Sequence, residues 1–291
     1  MKYGSALIKA FCIIVLGVLF YGGYTSDSSL STPADYSNAP IRRVISLSPQ
    51  NTEIIFALGA GDKLVGVTNY CDFPAEALEK EKIGDFINID VEKIISLSPD
   101  IIIANNTLQE KNVRVLKQAG ISVVVVQNDT LDELLISIEE IGTLIGVPEN
   151  GVSLRKELET RRKEILAKKS QGKSPRVFIE IWDHPLLTTG NRSYIHDLIA
   201  QAGGINVAAN TPNEYHAWDI EKLYASNPDI YLRLRGTDMG SKAAALPADF
   251  QELRAVKEGK VITLFDNAFV RSGPRSIDVL EQLVEVLNSK E

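Results

Sequence analysis

The sequence is poor in cysteine and histidine, the side chains that most often form disulfides or hold transition metals. It has two cysteines, Cys12 and Cys71, and three histidines in 291 residues. If the N-terminal segment is removed on export, Cys71 remains alone and no internal disulfide can form. The histidines His184, His196 and His216 show no H-E-x-x-H or other ligand spacing. The sequence therefore predicts neither a disulfide framework nor a resident metal site.

A basic surface is also missing. The chain has 31 Lys and Arg against 38 Asp and Glu, a formal net charge of −7. Because proteins that bind nucleic acid need a basic face, this balance argues against a nucleic-acid partner. The 44% apolar and 24% charged residues are typical of a soluble globular protein, and 291 residues can form two lobes with separate cores.

Motifs for nucleotide binding and hydrolysis are absent as well. The glycines of "GAGDKLVG" (residues 59–66) follow a predicted helix and precede a predicted strand, whereas a dinucleotide fingerprint has the opposite order. The "GKS" at residues 172–174 has Ala167 where a phosphate loop needs its first glycine. There is no G-x-S-x-G nucleophile elbow. The sequence therefore predicts a protein that is not an enzyme and carries no cofactor.

The N-terminus has the layout of an export signal. Lys2 and Lys9 precede the apolar run at residues 10–20, which is too short to span a bilayer comfortably. We expect a signal peptide over residues 1–24 and a flexible, polar tether over residues 25–40. An uncleaved membrane anchor is the alternative, because no A-x-A cleavage site follows the apolar run.

Strand and helix patterns alternate along the rest of the chain. Short β-branched runs such as "RVISLSP" and "ISVVVV" are separated by amphipathic stretches that end at glycine. This alternation predicts parallel α/β lobes at residues 41–147 and 175–291. Residues 148–174 between them are dense in Glu, Lys, Arg and Leu, and they predict one long linker helix.

One segment occurs twice. The stretch "DVEKIISLSPDIIIA" at residues 90–104 returns as "DIEKLYASNPDIYLR" at residues 219–233, an offset of 129 (219 − 90). Asp90 is predicted to cap the N-terminus of a helix, with Glu92 in the first turn, where acids favour the helix dipole. The repeat therefore predicts two similar lobes.

Aromatic and polar residues gather in five loops that follow predicted strands or adjoin the repeat. Ligands of open parallel sheets bind at the carboxyl ends of the strands, often between domains. The pattern thus favours a ligand cleft between the lobes. The loops are "TNYCDFP" (68–74), "GDFIN" (84–88), "IWDHP" (181–185), "EYHAW" (214–218) and "DNAFVRSGPR" (266–275).

From Ile41 onward the chain resembles a known family. The stretches "RVISLSPQNTEIIFALGAGDKLVGVTNYCDFP", "IDVEKIISLSPDIII" and "FVRSGPR" resemble the helical-linker class of periplasmic substrate-binding proteins of ABC importers. Within that class the chain is most similar to the cobalamin-binding proteins. The resemblance implies two parallel-sheet α/β lobes joined by a rigid helix, with a corrinoid held in the shallow cleft between them. It also implies a periplasmic monomer that delivers cobalamin, as cargo, to permease subunits of the inner membrane.

The resemblance also implies site residues. Tyr70 matches a tyrosine that lies against the corrinoid, and Phe86 matches a tryptophan position. Trp182 and Tyr215 fall at or near aromatic positions of the second lobe, and Arg271 matches an arginine of the cleft.

A second set of positions concerns the permease. In such proteins one acidic residue of each lobe docks to arginines of the membrane permease, and those positions fall on Glu92 and Glu221. Helix capping by the repeat and permease docking are compatible roles.

Two positions depart from the family pattern. Asn105 stands where the family pattern has a tryptophan in the cleft. Val270 stands next to Arg271, where the family pattern has an acidic residue. Haem and ferric-siderophore binders share the scaffold, so that ligand class remains an alternative. A further alternative is a metal-dependent enzyme with a metal held by His216, His184 or Cys71.

Overall fold

A computed structural model of the protein describes residues 40–105, 109–211, 213–235, 246–265 and 267–288. The predicted signal peptide and the tether up to residue 39 lie outside these ranges. The described residues form two compact units. The N-terminal unit comprises residues 40–164 together with Arg271–Asp278, and the C-terminal unit comprises Ile165–Val270 and residues 279–288.

The N-terminal unit is built on a four-stranded parallel sheet. The strand order is β2-β1-β3-β4, and the buried β3 is the run "IIIAN". Its strands are β1 (Val44–Ser46), β2 (Leu64–Val67), β3 (Ile101–Asn105) and β4 (Val123–Val126). Its helices are α1 (Pro49–Ala57), α2 (Val91–Ser96), α3 (Glu110–Gln118) and α4 (Leu131–Leu144).

A fully apolar core lies between this sheet and its helices. Ile45 and Ile102 of the central strands are completely buried, as are Ile94 of α2 and Leu116 of α3. Full burial of one such side chain contributes roughly 1.5–3 kcal/mol. The near-continuous aliphatic strands that predicted a parallel sheet are therefore explained by burial on both faces.

A long helix, α5 (Pro148–Ala167), continues from the N-terminal unit into the first residues of the C-terminal unit. The long helix is as predicted, but it ends at Ala167 and not at residue 174. The segment after it contains Gly172 and two serines, residues that do not favour a helix interior. Within the N-terminal unit, Arg155 of α5 pairs with Glu139 of α4 at 2.7 Å.

The C-terminal unit contains a second four-stranded parallel sheet and a small antiparallel sheet of three strands. The strand orders are β11-β10-β5-β8 and β6-β7-β9. The strands are β5 (Arg176–Glu180), β6 (Trp182–Asp183), β7 (Leu186–Thr189), β8 (Ile205–Asn206), β9 (Tyr215–Ala217), β10 (Ile230–Arg235) and β11 (Val261–Phe265). The helices are α6 (Tyr194–Gln201), α7 (Ile220–Ser226), α8 (Arg254–Lys257) and α9 (Ser276–Asn288), whose first turn belongs to the N-terminal unit.

Aromatic rings dominate the core of the C-terminal unit. Phe178 of β5 and Tyr231 of β10 are fully buried, with ring centroids 5.2 Å apart. The ring of Phe250 also packs against Tyr231, with centroids 5.9 Å apart. Two parallel-sheet α/β lobes are therefore present, and the predicted fold class is confirmed.

The repeated segment forms the same local structure in each unit. Asp90 caps α2 by accepting a hydrogen bond from the backbone N–H of Lys93 at 2.9 Å, and Asp219 caps α7 in the same way through Lys222 at 3.1 Å. The predicted N-cap at Asp90 is confirmed.

After the helix, each copy makes a second matched set of contacts. Ser98 and Asn227 both adopt left-handed backbone conformations, with φ of 45° and 42°. Asp100 then accepts from the backbone N–H of Arg43 at 2.8 Å, and Asp229 accepts from that of Arg176 at 2.8 Å. The duplicated stretch reads Leu-Ser-Pro-Asp at residues 97–100 and Ser-Asn-Pro-Asp at residues 226–229, and it thus ties each helix to the first strand of its own sheet.

The segment Arg271–Asp278 belongs to the N-terminal unit, although its place in the sequence predicts the C-terminal lobe. Arg271 and Arg275 form ion pairs with Asp72 and Glu53 of the N-terminal unit. Sequence distance conceals this association, because the paired residues are about 200 positions apart.

Candidate ligand-binding site

The two aromatic loops of the N-terminal unit are joined by a backbone hydrogen bond. The N–H of Asn69, next to Tyr70, donates to the carbonyl of Gly84 at 2.8 Å. Gly84 opens the turn that carries Phe86, and its φ is +108°. A Cβ there would lie 2.3 Å from the carbonyl oxygen of Asn88, so only glycine fits. The structure therefore brings the segments of Tyr70 and Phe86 together.

Tyr70 and Phe86 are both half-buried, which leaves part of each ring accessible. Burial raises the pKa of the Tyr70 phenol, and the nearby negative charge of Asp85 raises it further. Tyr70 is thus a neutral phenol that offers a ring face and one hydroxyl group. Asp85 is itself held in the turn, where it accepts from the backbone N–H groups of Ile87 and Asn88.

Arg271 is already paired within the N-terminal unit. Both Nη atoms of its guanidinium donate hydrogen bonds to the carboxylate of Asp72, and the Nη2–Oδ2 distance is 3.1 Å. Glu53 Oε1 lies 3.9 Å from Nη1 of the same arginine. The sequence places no acid next to Arg271, since Val270 is there, but the fold supplies one from the Tyr70 loop.

Arg275 holds a second, more deeply buried carboxylate. Its Nη2 and Nε donate to the two oxygens of Glu53 at 2.7 Å and 3.0 Å. Burial raises the pKa of Glu53, and the hydrogen bond and charge of Arg275 oppose that rise. The guanidinium of Arg275 also lies 4.0 Å above the ring of Phe73. This arrangement fixes the Arg271–Asp278 segment against α1 and the Tyr70 loop.

A buried polar network occupies the carboxyl ends of β1 and β3. The side chain of Asn105 accepts from Ser48 Oγ at 3.1 Å and donates to Asn128 Oδ1 at 3.3 Å. Asn128 in turn donates to the carbonyl of Ser272 at 3.3 Å. Asn105, where the family pattern has a tryptophan, is therefore part of the support for the Arg271 segment.

Cys71, next to Tyr70, is a buried thiol. The hydroxyl of Thr52 donates to its sulfur at 3.1 Å, and that of Thr68 lies 3.2 Å away. Burial raises the pKa of Cys71, so the neutral thiol is favoured over the thiolate that would bind a metal. Cys71 is therefore a buried core residue of the Tyr70 loop.

The aromatic residues of the C-terminal unit share one sheet. Trp182 pairs with Leu187, Leu187 with Ala217, and Thr189 with Tyr215. Directly paired residues of antiparallel strands point to the same side, and residues two apart on a strand do so as well. Trp182 and Tyr215 therefore lie on one face of the small antiparallel sheet, and both are half-buried.

The opposite face of that sheet carries polar atoms in a buried setting. Among the described residues, neither ring nitrogen of His216 has a hydrogen-bond partner, and the same holds for Trp218 Nε1 and Thr188 Oγ1. The His216 and Trp218 rings are 5.4 Å apart. Burial lowers the pKa of His216, and the positive charge of Lys222 lowers it further.

This histidine predicts acid sensitivity of the C-terminal unit. Because its pKa is lowered on folding, the unfolded chain binds the proton more readily, and stability is lost as pH falls below the ordinary value of 6.5. We expect the melting temperature to drop between pH 7.5 and 5.5, and to drop less in His216→Leu. Calorimetric scans of both proteins at matched pH values measure the difference, and equal slopes would contradict the prediction.

A buried ionic cluster lies at the carboxyl ends of β5 and β10. The Glu180 side chain is 1% exposed and accepts from Tyr231 at 2.6 Å, from Arg233 Nε at 3.1 Å and from Arg235. Burial, followed by the negative charge of Glu180, raises the pKa of Tyr231. Asp183 lies 3.9 Å from Arg235. The cluster thus fixes β10 and the start of the Trp182 strand.

The metal-enzyme alternative finds no ligand set in the described part of the chain. No group of three or more His, Cys, Asp or Glu side chains there could hold a metal ion. His184 is exposed, His216 is buried in the C-terminal unit, and Cys71 is buried in the N-terminal unit.

Comparison with known proteins places the chain in a family. The model of the periplasmic binding protein family matches residues 44–268. The chain belongs to this family. Within the described ranges no helix has the length and apolar character needed to cross a bilayer.

Three similar proteins show what this periplasmic binding protein is related to. An uncharacterized ABC transporter substrate-binding lipoprotein of Bacillus subtilis is 34% identical over 252 residues, covering 84% of this chain and 79% of the relative. The crystal structure of the periplasmic vitamin B12 binding protein of Vibrio cholerae matches with a TM-score of 0.78 and 30% identity, covering 85% of this chain and 97% of that one. A periplasmic heme-binding protein from Roseiflexus, in apo form, matches with a TM-score of 0.71 and 25% identity, covering 85% and 98%.

Several charged residues of this binding protein, which the sequence patterns do not predict as site residues, are brought together by the structure. Asp72, Glu53 and Arg275 form the ion-pair network beside Tyr70, and Glu180 holds Arg233 and Arg235. The sequence does contain one signal for the set of Glu180, Arg233 and Arg235. Two arginines in the apolar strand "IYLRLR" need a buried acid, because unpaired charges are not buried.

Proposed function

We propose that this periplasmic binding protein captures cobalamin or a related corrinoid and delivers it to an ABC importer. The proposal is supported most by the likeness to the vitamin B12 binding protein of Vibrio cholerae, which extends over 85% of this chain at 30% identity. The protein is proposed to act in the periplasm as a monomer, with the corrinoid as cargo, and we assign it no catalytic role.

The ligand-binding residues of the proposal are Tyr70, Phe86, Trp182, Tyr215 and Arg271. The four aromatic side chains are half-buried, so each keeps an accessible face while its backbone is held by strand pairing or by a tight turn. Flat, rigid rings suit the broad apolar faces of a corrin ring, and guanidinium N–H groups suit its amide oxygens.

A haem or ferric-siderophore ligand is the second candidate, and the heme-binding protein from Roseiflexus favours it. A tyrosine binds ferric iron as a phenolate. Burial together with Asp85 raises the pKa of Tyr70 in the metal-free protein, but a bound ferric ion would itself lower it.

Titration calorimetry with cyanocobalamin tests the proposed function. We expect a saturable heat signal with one ligand bound per chain. The absence of saturable binding at protein concentrations in the tens of micromolar would contradict it.

Glu92 and Glu221 are proposed to dock the protein to the permease. The caps of α2 and α7 are made by Asp90 and Asp219, so the two exposed glutamates are not needed for capping. In the described part of the chain neither glutamate forms a hydrogen bond or ion pair. Three residues after each, an apolar side chain is exposed, Ile95 at 51% and Tyr224 at 37%. Each helix therefore presents an acid beside an apolar contact.

The double variant Glu92→Lys, Glu221→Lys tests docking. Charges at the rim of an interface act mainly on encounter and orientation, so we expect slower association with the permease in reconstituted vesicles and an unchanged melting temperature. The control is Glu79→Lys, Glu285→Lys, which changes the net charge equally at one exposed glutamate of each unit. Equal association rates for the two double variants would contradict the docking role.

A further inference from the structure

The arginines of the Arg271–Asp278 segment are matched by carboxylates one to one. Arg275 holds Glu53, and Arg271 holds Asp72, each through two donor nitrogens. The carboxylates of both pairs come from α1 and from the Tyr70 loop of the same unit. The positive charge that the segment brings to the Tyr70 loop is therefore cancelled locally.

The other charged residues around the Tyr70 loop add no surplus of positive charge. The ammonium group of Lys82 donates to the backbone carbonyls of Cys71 and Ala77, both at 3.0 Å. Asp85 adds a negative charge, which acts on Tyr70. The two arginine–carboxylate pairs together with Lys82 and Asp85 thus carry three positive and three negative charges.

Asp72 is the exposed carboxylate of this set. Its side chain is 43% exposed, whereas that of Arg271 is 14% exposed and that of Glu53 is 2% exposed. Glu53 is bound by Arg275 and lies within 3.9 Å of Arg271, so it completes the buried part of the network without Asp72. Asp72 instead pairs with Arg271 while its own side chain stays accessible to solvent.

We infer that Asp72 is a specificity-determining residue, which neutralises Arg271 so that the site favours ligands with neutral amide arms over ligands with carboxylate or catecholate arms. The inference rests on the proposed function and deepens it. The side arms of a corrinoid are mostly neutral amides, which can accept from the N–H groups of Arg271 while Asp72 stays in place. A haem carries two carboxylates, and a ferric catecholate complex carries several negative charges. Either would have to displace Asp72 from Arg271 or bind beside it.

The expected size of the effect follows from electrostatics. Like charges several Å apart, at an effective dielectric constant of about 20, repel by enough to change affinity roughly tenfold or more. Removing the negative charge of Asp72 should thus raise the affinity for an anionic ligand by about that factor. The gain should shrink with added salt, because the Asp72 side chain is partly exposed.

Absorbance titrations with haemin and with cyanocobalamin test the inference on the full-length protein. In Asp72→Asn the side-chain shape and one acceptor oxygen remain but the charge is removed. We expect haemin to bind at least about tenfold more tightly than to the wild type, and the ratio of haemin to cyanocobalamin affinity to rise. In Glu76→Gln, which removes an exposed acid from the same unit, haemin affinity should stay at the wild-type value.

The double variant Asp72→Asn, Arg271→Gln assigns the gain to its cause, since it should lose the added haemin affinity. An unchanged haemin affinity in Asp72→Asn, including no detectable haemin binding by either protein, would overturn the inference, as would a gain that survives loss of Arg271. The proposed function fails separately, if the wild type does not bind cyanocobalamin. A haemin gain in Asp72→Asn would still support the role of Asp72 in that case.

Discussion

Glu180→Gln is expected to lower the melting temperature of the ligand-free C-terminal unit by at least about 6 °C. The substitution removes the carboxylate that Arg233 and Arg235 share, and both arginines are buried. Breaking a buried ion pair by removing one partner costs about 3–5 kcal/mol, because the remaining charge is left uncompensated. The shift is about 4–8 °C per kcal/mol for domains of 60–100 residues and about 2–4 °C for 150–250 residues. The unit lies between these sizes, so the loss is easily measured by scanning calorimetry.

A charge-matched control separates this effect from a general one. Glu258→Gln removes a glutamate of the same unit whose pair with Arg254 is exposed, and exposed pairs contribute little. We expect its melting temperature to stay near that of the wild type. If Glu180→Gln also melts within about 2 °C of the wild type, Glu180 is not the charge that balances the buried arginines.

Tyr70→Ala and Trp182→Ala are expected to weaken cyanocobalamin binding by roughly ten- to a hundredfold each. Burying an aromatic side chain against a ligand contributes about 1.5–3 kcal/mol, and 1.4 kcal/mol corresponds to a factor of ten. Both rings are half-buried in the ligand-free protein, so part of each remains available for contact. Titration calorimetry measures the affinities.

The melting temperature of the ligand-free variants distinguishes ligand contact from core packing. Removal of a ring that packs in the core lowers this melting temperature by several degrees, whereas removal of a ring that contacts only the ligand changes it little. Leu78→Ala is the matched control, because Leu78 is an exposed apolar residue of the N-terminal unit. If affinity is kept while stability falls at both positions, the proposed binding residues are misassigned.

The sequence predicted the fold well where structure is local. The repeat at residues 90–104 and 219–233 predicted two similar units, and each copy makes the same N-cap and the same aspartate bond to the first strand. Aliphatic runs predicted the central strands because parallel sheets are buried on both faces. These features depend on residues a few positions apart or on burial, and both can be read from a pattern.

The candidate site was predictable only in part. Loops after strands indicated where Tyr70 and Trp182 lie, since strand ends collect at one edge of a sheet. The pairing of Arg271 with Asp72 joins residues 199 positions apart, and no spacing indicates it. The small antiparallel sheet was missed because its three strands have only two to four residues each, too few to show a period.

Competitive equilibrium dialysis on one sample of purified protein tests the central claim most directly. Cyanocobalamin, haemin and a ferric siderophore are supplied together at equal concentration, and the ligand retained with the protein is identified by its absorbance spectrum. Corrinoid binding with a neutralised Arg271 predicts that cyanocobalamin is retained in excess over both iron-containing ligands. Preferential retention of haemin or of the ferric siderophore would contradict the account.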